Sequence, residues 1–315
     1  MTGRIPIIIL GGSDSRPGPV PEDVEHSRML RGFKGAIALP NGRCLAQELV
    51  ERIRGTDRFQ DPVIVGPRRV YDGILDCRIV DVEGNLAETL RAVRTEVLSY
   101  PDLSQPVAFI ACDILPTTDD FQQLLETCYL PNSQCGLWGQ LVAVESVDMG
   151  ASAWKPAYQF LPSEGHSPRT MYPGHLVIAR PAALRIRLMN HLLQLAYRHR
   201  NVRLLRRPIP MFFKGMGQLI AEDSRNLLRG QLPVLSVSIP WHCLSAFLRF
   251  HQGRLSVPEF SRHVMKVFLH RDVHHMQPPA VVFSVTQLCA FAKDIDTTDE
   301  LAEVSESVAA SVTSP

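Results

Sequence analysis

Apolar and polar positions fall into two alternating kinds of block along the first half of the chain. Short unbroken apolar runs, "RIPIIIL", "DPVIVGP", "CRIVDV" and "PVAFIACDIL", read as strands of a sheet covered on both faces. Between them lie stretches with helical spacing. "RCLAQELVERIRG" places Leu45, Leu49, Val50 and Ile53 on one side and stops at Gly55, and "GNLAETLRAVRTEVL" does the same with Leu86, Leu90, Val93 and Val97. A further helix is predicted from about Thr117 to Cys128, with Thr117 or Thr118 at its cap. Strand and helix in strict alternation predict an α/β fold, a Rossmann-like, mostly parallel doubly wound sheet. Such sheets bind ligands beyond the carboxyl ends of their strands. Two polar features fall at such ends: the loop "GGSDSR" after the first strand and Asp113 after "FIAC".

The second half is patterned differently. Residues 134–180 read as strands and loops, Pro181 to Arg200 as a helix, and about Ser236 to His270 as helix with breaks at Gly253 and Pro258. "PPAVVFSV" is a late strand, and "DIDTTDELAEVSESVAA" a last helix capped by Thr297 or Thr298, with acidic residues in its first turn. The expected organisation is a core over 1–180, a mainly helical insert over 181–278, and a returning strand and helix over 279–315.

Composition narrows the function classes. The chain has 315 residues, 45% hydrophobic and 21% charged, which suits one large or two modest globular domains. With 33 basic against 32 acidic side chains the net charge is +1, so no broad electrostatic footprint for nucleic acid exists and none is expected as a partner. Seven cysteines (44, 77, 112, 128, 135, 243, 289) form no C-x-x-C pair and read as buried free thiols of a reducing compartment. The start of the sequence shows no secretory leader pattern, and no apolar run approaches the roughly 20 residues of a membrane span. A soluble, cytoplasmic protein is expected.

The first loop carries the sharpest chemistry. Gly11 and Gly12 let backbone N–H groups approach an anion, Ser13 and Ser15 add hydroxyls, and Arg16 adds a planar fork suited to phosphate. An ordinary strand-to-helix turn with a solvated arginine is the plainer alternative. The loop matches neither G-x-x-x-x-G-K-[ST] nor G-x-G-x-x-G. Downstream, Lys34 stands in a short apolar segment ahead of Asn41-Gly42-Arg43 and a helix.

Taken together, Ile9-Leu10-Gly11-Gly12, then Arg16, Gly18 and Lys34, resemble the opening signature of the nucleotidyltransferase superfamily typified by molybdenum-cofactor guanylyltransferases and sugar-phosphate nucleotidyltransferases. Leu10 stands where that family has alanine, and about 16 residues separate Arg16 from Lys34 instead of a handful. "GNLAETLRAV" resembles the glycine-opened helix over the base, "FIACDILP" the strand end whose aspartate binds magnesium, and "YPGHLVIARP" the segment before a core strand, with His175 for asparagine. "KDIDTTDEL" resembles the closing box, with Thr298 for its proline.

The resemblance implies a nucleotide-diphospho-sugar transferase-like fold. It implies Arg16 and Lys34 as catalytic cations, and nucleotide contacts from Leu10, Gly11, Gly12, Ser13, Gly84 and Asn85. Asp113 and Asp294 are implied as Mg2+ ligands, with Asp296 and His175 as further candidates. The partners implied are a nucleoside triphosphate and a phosphorylated small-molecule acceptor. Neither base nor acceptor is legible.

Each residue also has a plain structural reading: Asp113 as a helix cap, Asp294 and Asp296 as solvated carboxylates before a helix, Gly84 as a turn and Lys34 as a surface lysine. The arginines of "RHRNVRLLRR" read as a basic helix end, His263, His270, His274 and His275 as a solvated set, and Trp138, Trp154 and Trp241 as core or edge packing. Two other functions remain open: a glycosyltransferase of related fold using Asp294-Ile295-Asp296 as a D-x-D, and a non-catalytic nucleotide-binding protein.

Overall fold

The computed structural model describes residues 3–12, 28–84, 86–198, 208–228, 230, 232–270, 273 and 280–313. Ser13, Arg16, Asn85, His274, His275 and most of the arginine cluster lie outside them.

Strands β1 (Ile7–Leu10), β2 (Val63–Gly66), β3 (Arg78–Asp81) and β4 (Val107–Ala111) form a parallel block in the order β3-β2-β1-β4. Ile7 to Leu10 pair with Ala108 to Ala111 in register, so both strands end at the same rim. The run that predicted β1 is buried because helices cover both faces. Helix α1 (Leu45–Gly55) turns Leu45, Leu49, Val50 and Ile53 inward. Cys44 caps it: its thiol accepts from the Gln47 N–H at 3.4 Å, and the Gln47 side chain accepts from the Cys44 N–H at 2.8 Å. Helix α3 (Leu86–Leu98) covers the other face with Val93 and Val97, against Ile8, Val65 and Val107. Between β2 and β3 the short helix α2 (Arg68–Tyr71) buries Tyr71. Helix α4 (Thr118–Leu124) is capped by Thr117 in a reciprocal pair with Asp120.

Beyond β4 the sheet is mixed. β8 (Leu176–Ala179) runs antiparallel to β4 and to β5 (Leu137–Val142), while β9 (Val281–Thr286) lies parallel to β5 along its whole length. β7 (Arg169–Pro173) also opposes β5, and β6 (Tyr158–Phe160) opposes β7. The parallel expectation therefore holds, with β7 and β8 as reversed strands.

Helices α5 (Ile186–Arg198), α6 (Pro208–Leu228), α7 (Leu235–His251) and α8 (Val257–Phe268) follow, and α9 (Thr298–Thr313) closes the described chain. Gly253 does end α7, at φ 65°. Pro258 breaks nothing: it sits in the first turn of α8, where its missing N–H costs no helical bond, and Ser256 with Glu259 forms the cap. Trp138 is core, edge-on to Tyr129, whereas Trp241 is 67% exposed. Cys243 is exposed too, the exception among thiols that are otherwise buried or half-buried. His263 pairs its ring with His242 at 3.3 Å. None of the described helices is long and apolar enough to cross a membrane.

Candidate active site at the carboxyl rim

Parallel pairing of β1 with β4 brings Gly11, Gly12 and Asp113 out side by side, the Cys112 N–H donating to Leu10 O at 3.3 Å. The glycines have a packing reason of their own. A Cβ on Gly11 would meet Ile64 at 2.8 Å and Tyr71 at 3.0 Å, and one on Gly12 would meet Thr89 of α3 at 3.0 Å. Tyr71 also donates to Gly11 O at 2.8 Å. The strand end is thus pinned between α2 and α3, its rim face left to backbone. At Gly84, φ is 146° and a Cβ would run into the Glu88 carboxylate, so only glycine suits that turn.

Lys34 opens a short 3-10 turn, Lys34–Ala36. Gly35 lets that turn dock tightly, since a Cβ there would lie 2.8 Å from the Tyr71 hydroxyl. The Lys34 ammonium donates to Asp113 at 3.0 Å and also to Asp296. Asp113 is not a helix cap; that duty belongs to Thr117, and Arg52 holds the intervening loop by donating to Leu115 O at 2.9 Å. From Asp294 to Asp296 the chain is neither helix nor strand; Ile295 is buried, and the carboxylates of Asp294 and Asp296 gather beside that of Asp113. The segment docks on the strand end through the Ile295 N–H, which donates to Asp113 O at 2.7 Å.

Two residues of the site had escaped the sequence reading. Lys155, only 6% exposed at its side chain, donates to Asp294 at 2.9 Å, to Asp296, and lies 3.3 Å from Glu300. Its ammonium sits 4.4 Å from the Trp154 ring centre. Glu300, 2% exposed at its side chain, gathers the rest. One oxygen accepts from Ser152 at 2.8 Å and Trp154 at 3.2 Å; the other accepts from the backbone N–H groups of Asp296 (2.7 Å) and Thr297 (2.8 Å). Trp154 thus does more than pack. The only hint in the sequence was a lysine held between tryptophan and proline, "WKP", too weak to single out.

His175 enters at the junction of β7 and β8, its Nε2 3.7 Å from Asp294. Gly174 beside it must be glycine, because a Cβ would sit 2.3 Å from Gln140.

Electrostatics follow from this crowding. Burial pulls the Lys34 and Lys155 ammoniums toward neutrality, but the carboxylates around them win and hold both above the ordinary lysine value, Lys34 well above it. Burial pushes Asp296 up, yet Lys34 and Lys155 reverse it and hold the carboxyl at about 2. Asp294 goes the other way: burial raises it, His175 and Lys155 only partly offset that, and Asp296 and Asp113 add to the rise. Four carboxylates (113, 294, 296, 300) face two ammoniums, so two formal negative charges are left over.

Oxygens of Asp113, Asp294 and Asp296 lie within 4.8 Å of one another, the one such group of three metal-ligating side chains among the described residues. Hard carboxylate donors in negative excess fit a divalent cation of the magnesium type. A cavity of about 300 Å³ lined by Ile5, Pro6, Pro106 and Arg180 opens at the opposite, amino-terminal end of the strands and contains none of these groups.

No protein-family model and no curated protein matches the chain. Among solved structures, CMP:2-keto-3-deoxy-manno-octonic acid synthetase complexed with CTP matches 98% of this chain and 100% of its own, with TM-score 0.49 and 9% identity. 4-Diphosphocytidyl-2C-methyl-D-erythritol synthase from Anaerococcus prevotii likewise matches 98% and 100%, with TM-score 0.44 and 8% identity. Mannose-1-phosphate geranyltransferase from Thermus thermophilus matches 63% and 61%, with TM-score 0.38 and 15% identity. Likeness at this level assigns no residue a role.

Proposed function

We propose that the chain is a magnesium-dependent nucleotidyltransferase that moves a nucleoside monophosphate from an NTP to a phosphorylated small-molecule acceptor. One observation carries the reading: Lys34, Asp113, Asp294 and Asp296, up to 262 positions apart, converge at the shared end of β1 and β4. In this reaction an acceptor phosphate oxygen attacks the α-phosphorus. The new P–O bond forms as the α–β bridge breaks, and its electron pair leaves with pyrophosphate. The attacking oxygen is already anionic, so positioning and charge neutralisation supply the catalysis.

Lys34, kept protonated by its carboxylate neighbours, offers its ammonium to phosphate oxygens. Asp113 and Asp294 hold the cation, with Asp296 beside them. Magnesium bound there would supply Lewis-acid neutralisation of triphosphate charge. Lys155 keeps Asp294 and Asp296 aligned from behind. Gly11 and Gly12 present backbone at the rim, while Arg16, Ser13 and Asn85 join the proposal on the sequence pattern alone, as does His175 on its closeness to Asp294. Residues 1–180 and 279–315 make up the NTP-binding core in this reading, and 181–278 the insert that selects the acceptor.

Purified protein incubated with magnesium, each NTP in turn and a panel of sugar and alcohol phosphates tests this directly. Pyrophosphate release that needs both substrates supports it. Nucleoside diphosphate release from a sugar nucleotide would instead favour glycosyl transfer, with Asp294 and Asp296 as its metal pair. Binding without any turnover would leave a nucleotide-binding protein.

A further inference from the structure

Helix α7 departs from the pattern of the other helices. From Leu235 to Leu248 it carries no Asp, Glu, Lys or Arg. Its inward side is served by Leu235 and Ile239, which pack with Leu188 of α5, Leu219 of α6 and Val267 of α8. That contact leaves Val237, Trp241, Leu244 and Leu248 outside, 74, 67, 51 and 49% exposed, with Phe247 at their flank, 48% exposed.

Their spacing is informative. Steps of 4, 3 and 4 residues average close to 3.5 and place all four side chains in one narrow stripe. Such a stripe has the spacing of a two-helix seam, narrower than the face of a helix lying on a core, and Pro240, which removes one bond of the helix ladder, lies outside it. The spacing also reads the same from either end, symmetric about the point between His242 and Cys243. An antiparallel pair around a two-fold axis through that point sets Val237 against the partner's Leu248 and Trp241 against the partner's Leu244. Small meets large at the ends, and no charge meets its own copy along the seam. A self-complementary patch of this kind is what a two-fold dimer requires.

The exposed area is of the right order. Together with Phe247 these side chains leave on the order of 500 Å² of apolar surface in water. Adding the backbone and polar rim between them brings the patch toward the roughly 800 Å² per partner of a stable interface. A lipid surface fits less well. Ser238 and Ser245 flank the stripe, and α7 lacks the lysines and arginines with which interfacial helices reach headgroups until Arg249, which is paired with Glu259.

We propose that α7 is a dimer seam, covered in solution by α7 of a second copy running antiparallel. Sedimentation equilibrium of the full chain across the micromolar range is expected to show a monomer–dimer equilibrium. Trp241→Glu and Val237→Lys should each weaken the dimer by roughly 30-fold or more, with far-ultraviolet circular dichroism unchanged. If Trp241→Glu fails to fold, Val237→Lys decides.

Register is tested by oxidising a mixture of Trp241→Cys and Leu244→Cys chains that both also carry Cys243→Ser, since Cys243 is itself exposed beside the axis; the mixed disulfide is expected. A chain that stays monomeric at all concentrations, or a Val237→Lys chain that dimerises as the original does, would overturn the proposal. So would a Leu244→Cys homodisulfide formed in preference to the mixed one. A monomer that co-sediments with phosphatidylcholine–phosphatidylglycerol vesicles would overturn it in favour of a lipid face.

Discussion

At the carboxyl rim of β1 and β4, charged groups are drawn inward: Lys155 and Glu300 are almost wholly buried, and Lys34, Asp113, Asp294 and Asp296 are mostly so. On α7, apolar groups are turned outward, Val237 and Trp241 being the most exposed of the stripe. Each region reverses the ordinary sorting of side chains, but the two are not equivalent. Burial of charge at the rim is offset inside the chain by ammonium–carboxylate pairs and by the many donors around Glu300. Exposure on α7 is offset by nothing among the described residues. The rim is therefore self-supporting with negative charge to spare, whereas the helical face is complete only with a partner.

The strongest way to break this contrast lies at the rim. Asp113→Ala should lower magnesium-dependent turnover by about a thousandfold or more while the circular dichroism spectrum stays native; unchanged turnover would place the metal elsewhere. Next comes Glu300→Ala, which removes one of the three carboxylates around buried Lys155 and leaves the Asp296 and Thr297 N–H groups unsatisfied. A loss of about 3–5 kcal/mol in urea unfolding is expected, and a loss below about 1 kcal/mol would show that Glu300 does not anchor the closing segment.

The acid limb of stability gives a third, smaller effect. Asp296 is held at about 2 against an ordinary 3.8, so its contribution is present above the ordinary value and fades as pH falls from about 4 to 2. That contribution is worth about 2 kcal/mol. Asp294 has the opposite sign. Its raised pKa favours the folded state when protonated, a gain lost as pH rises through that value. Asp294→Asn should therefore raise the urea midpoint at neutral pH in chelator, while Asp296→Asn lowers it; equal shifts in one direction would refute the charge balance described.

Least affected should be the folding of the monomer by changes on α7. Leu244→Ser, measured below the association range, should alter folding stability by no more than about 0.5 kcal/mol. The buried Leu49→Ala of α1 should cost about 2–5 kcal/mol. A large loss from Leu244→Ser would mean that the stripe is already covered within one chain.

What the sequence disclosed follows the reach of each interaction. β1 to β4, α1 and α3 were legible because unbroken apolar runs and helical periodicity are local. Lys34, Asp113 and Asp294 were legible as members of spaced motifs. Strand direction was not: nothing local to "GHLVIARP" says that β8 runs against β4. α6 escaped because Pro208, Pro210, Gly215 and Gly217 read as breaks; both prolines fall in its first turn, where a missing N–H costs no helical bond, and packing against α5 and α7 overrides the poor propensity of the glycines. Lys155 was invisible because burial of a lysine depends on partners far along the chain, Asp296 lying 141 residues on. Gly11 and Gly12 were read for a ligand alone, when Ile64 and Tyr71 also crowd out a Cβ at Gly11 and Thr89 leaves only a tight fit at Gly12.

The Leu30 N–H donates to Asp296 O at 2.8 Å, and Met29 bridges Thr297, so early chain and late chain are stitched together beside Lys34. Contacts this distant in sequence close slowly, after the local βα units have formed. The charged rim is therefore expected to close late in folding, with the parallel block formed while Lys34 still waits for its second carboxylate. A cut between β9 and Asp294, if the closing segment then left, would remove three of the four rim carboxylates while every strand of the sheet stayed in the larger fragment.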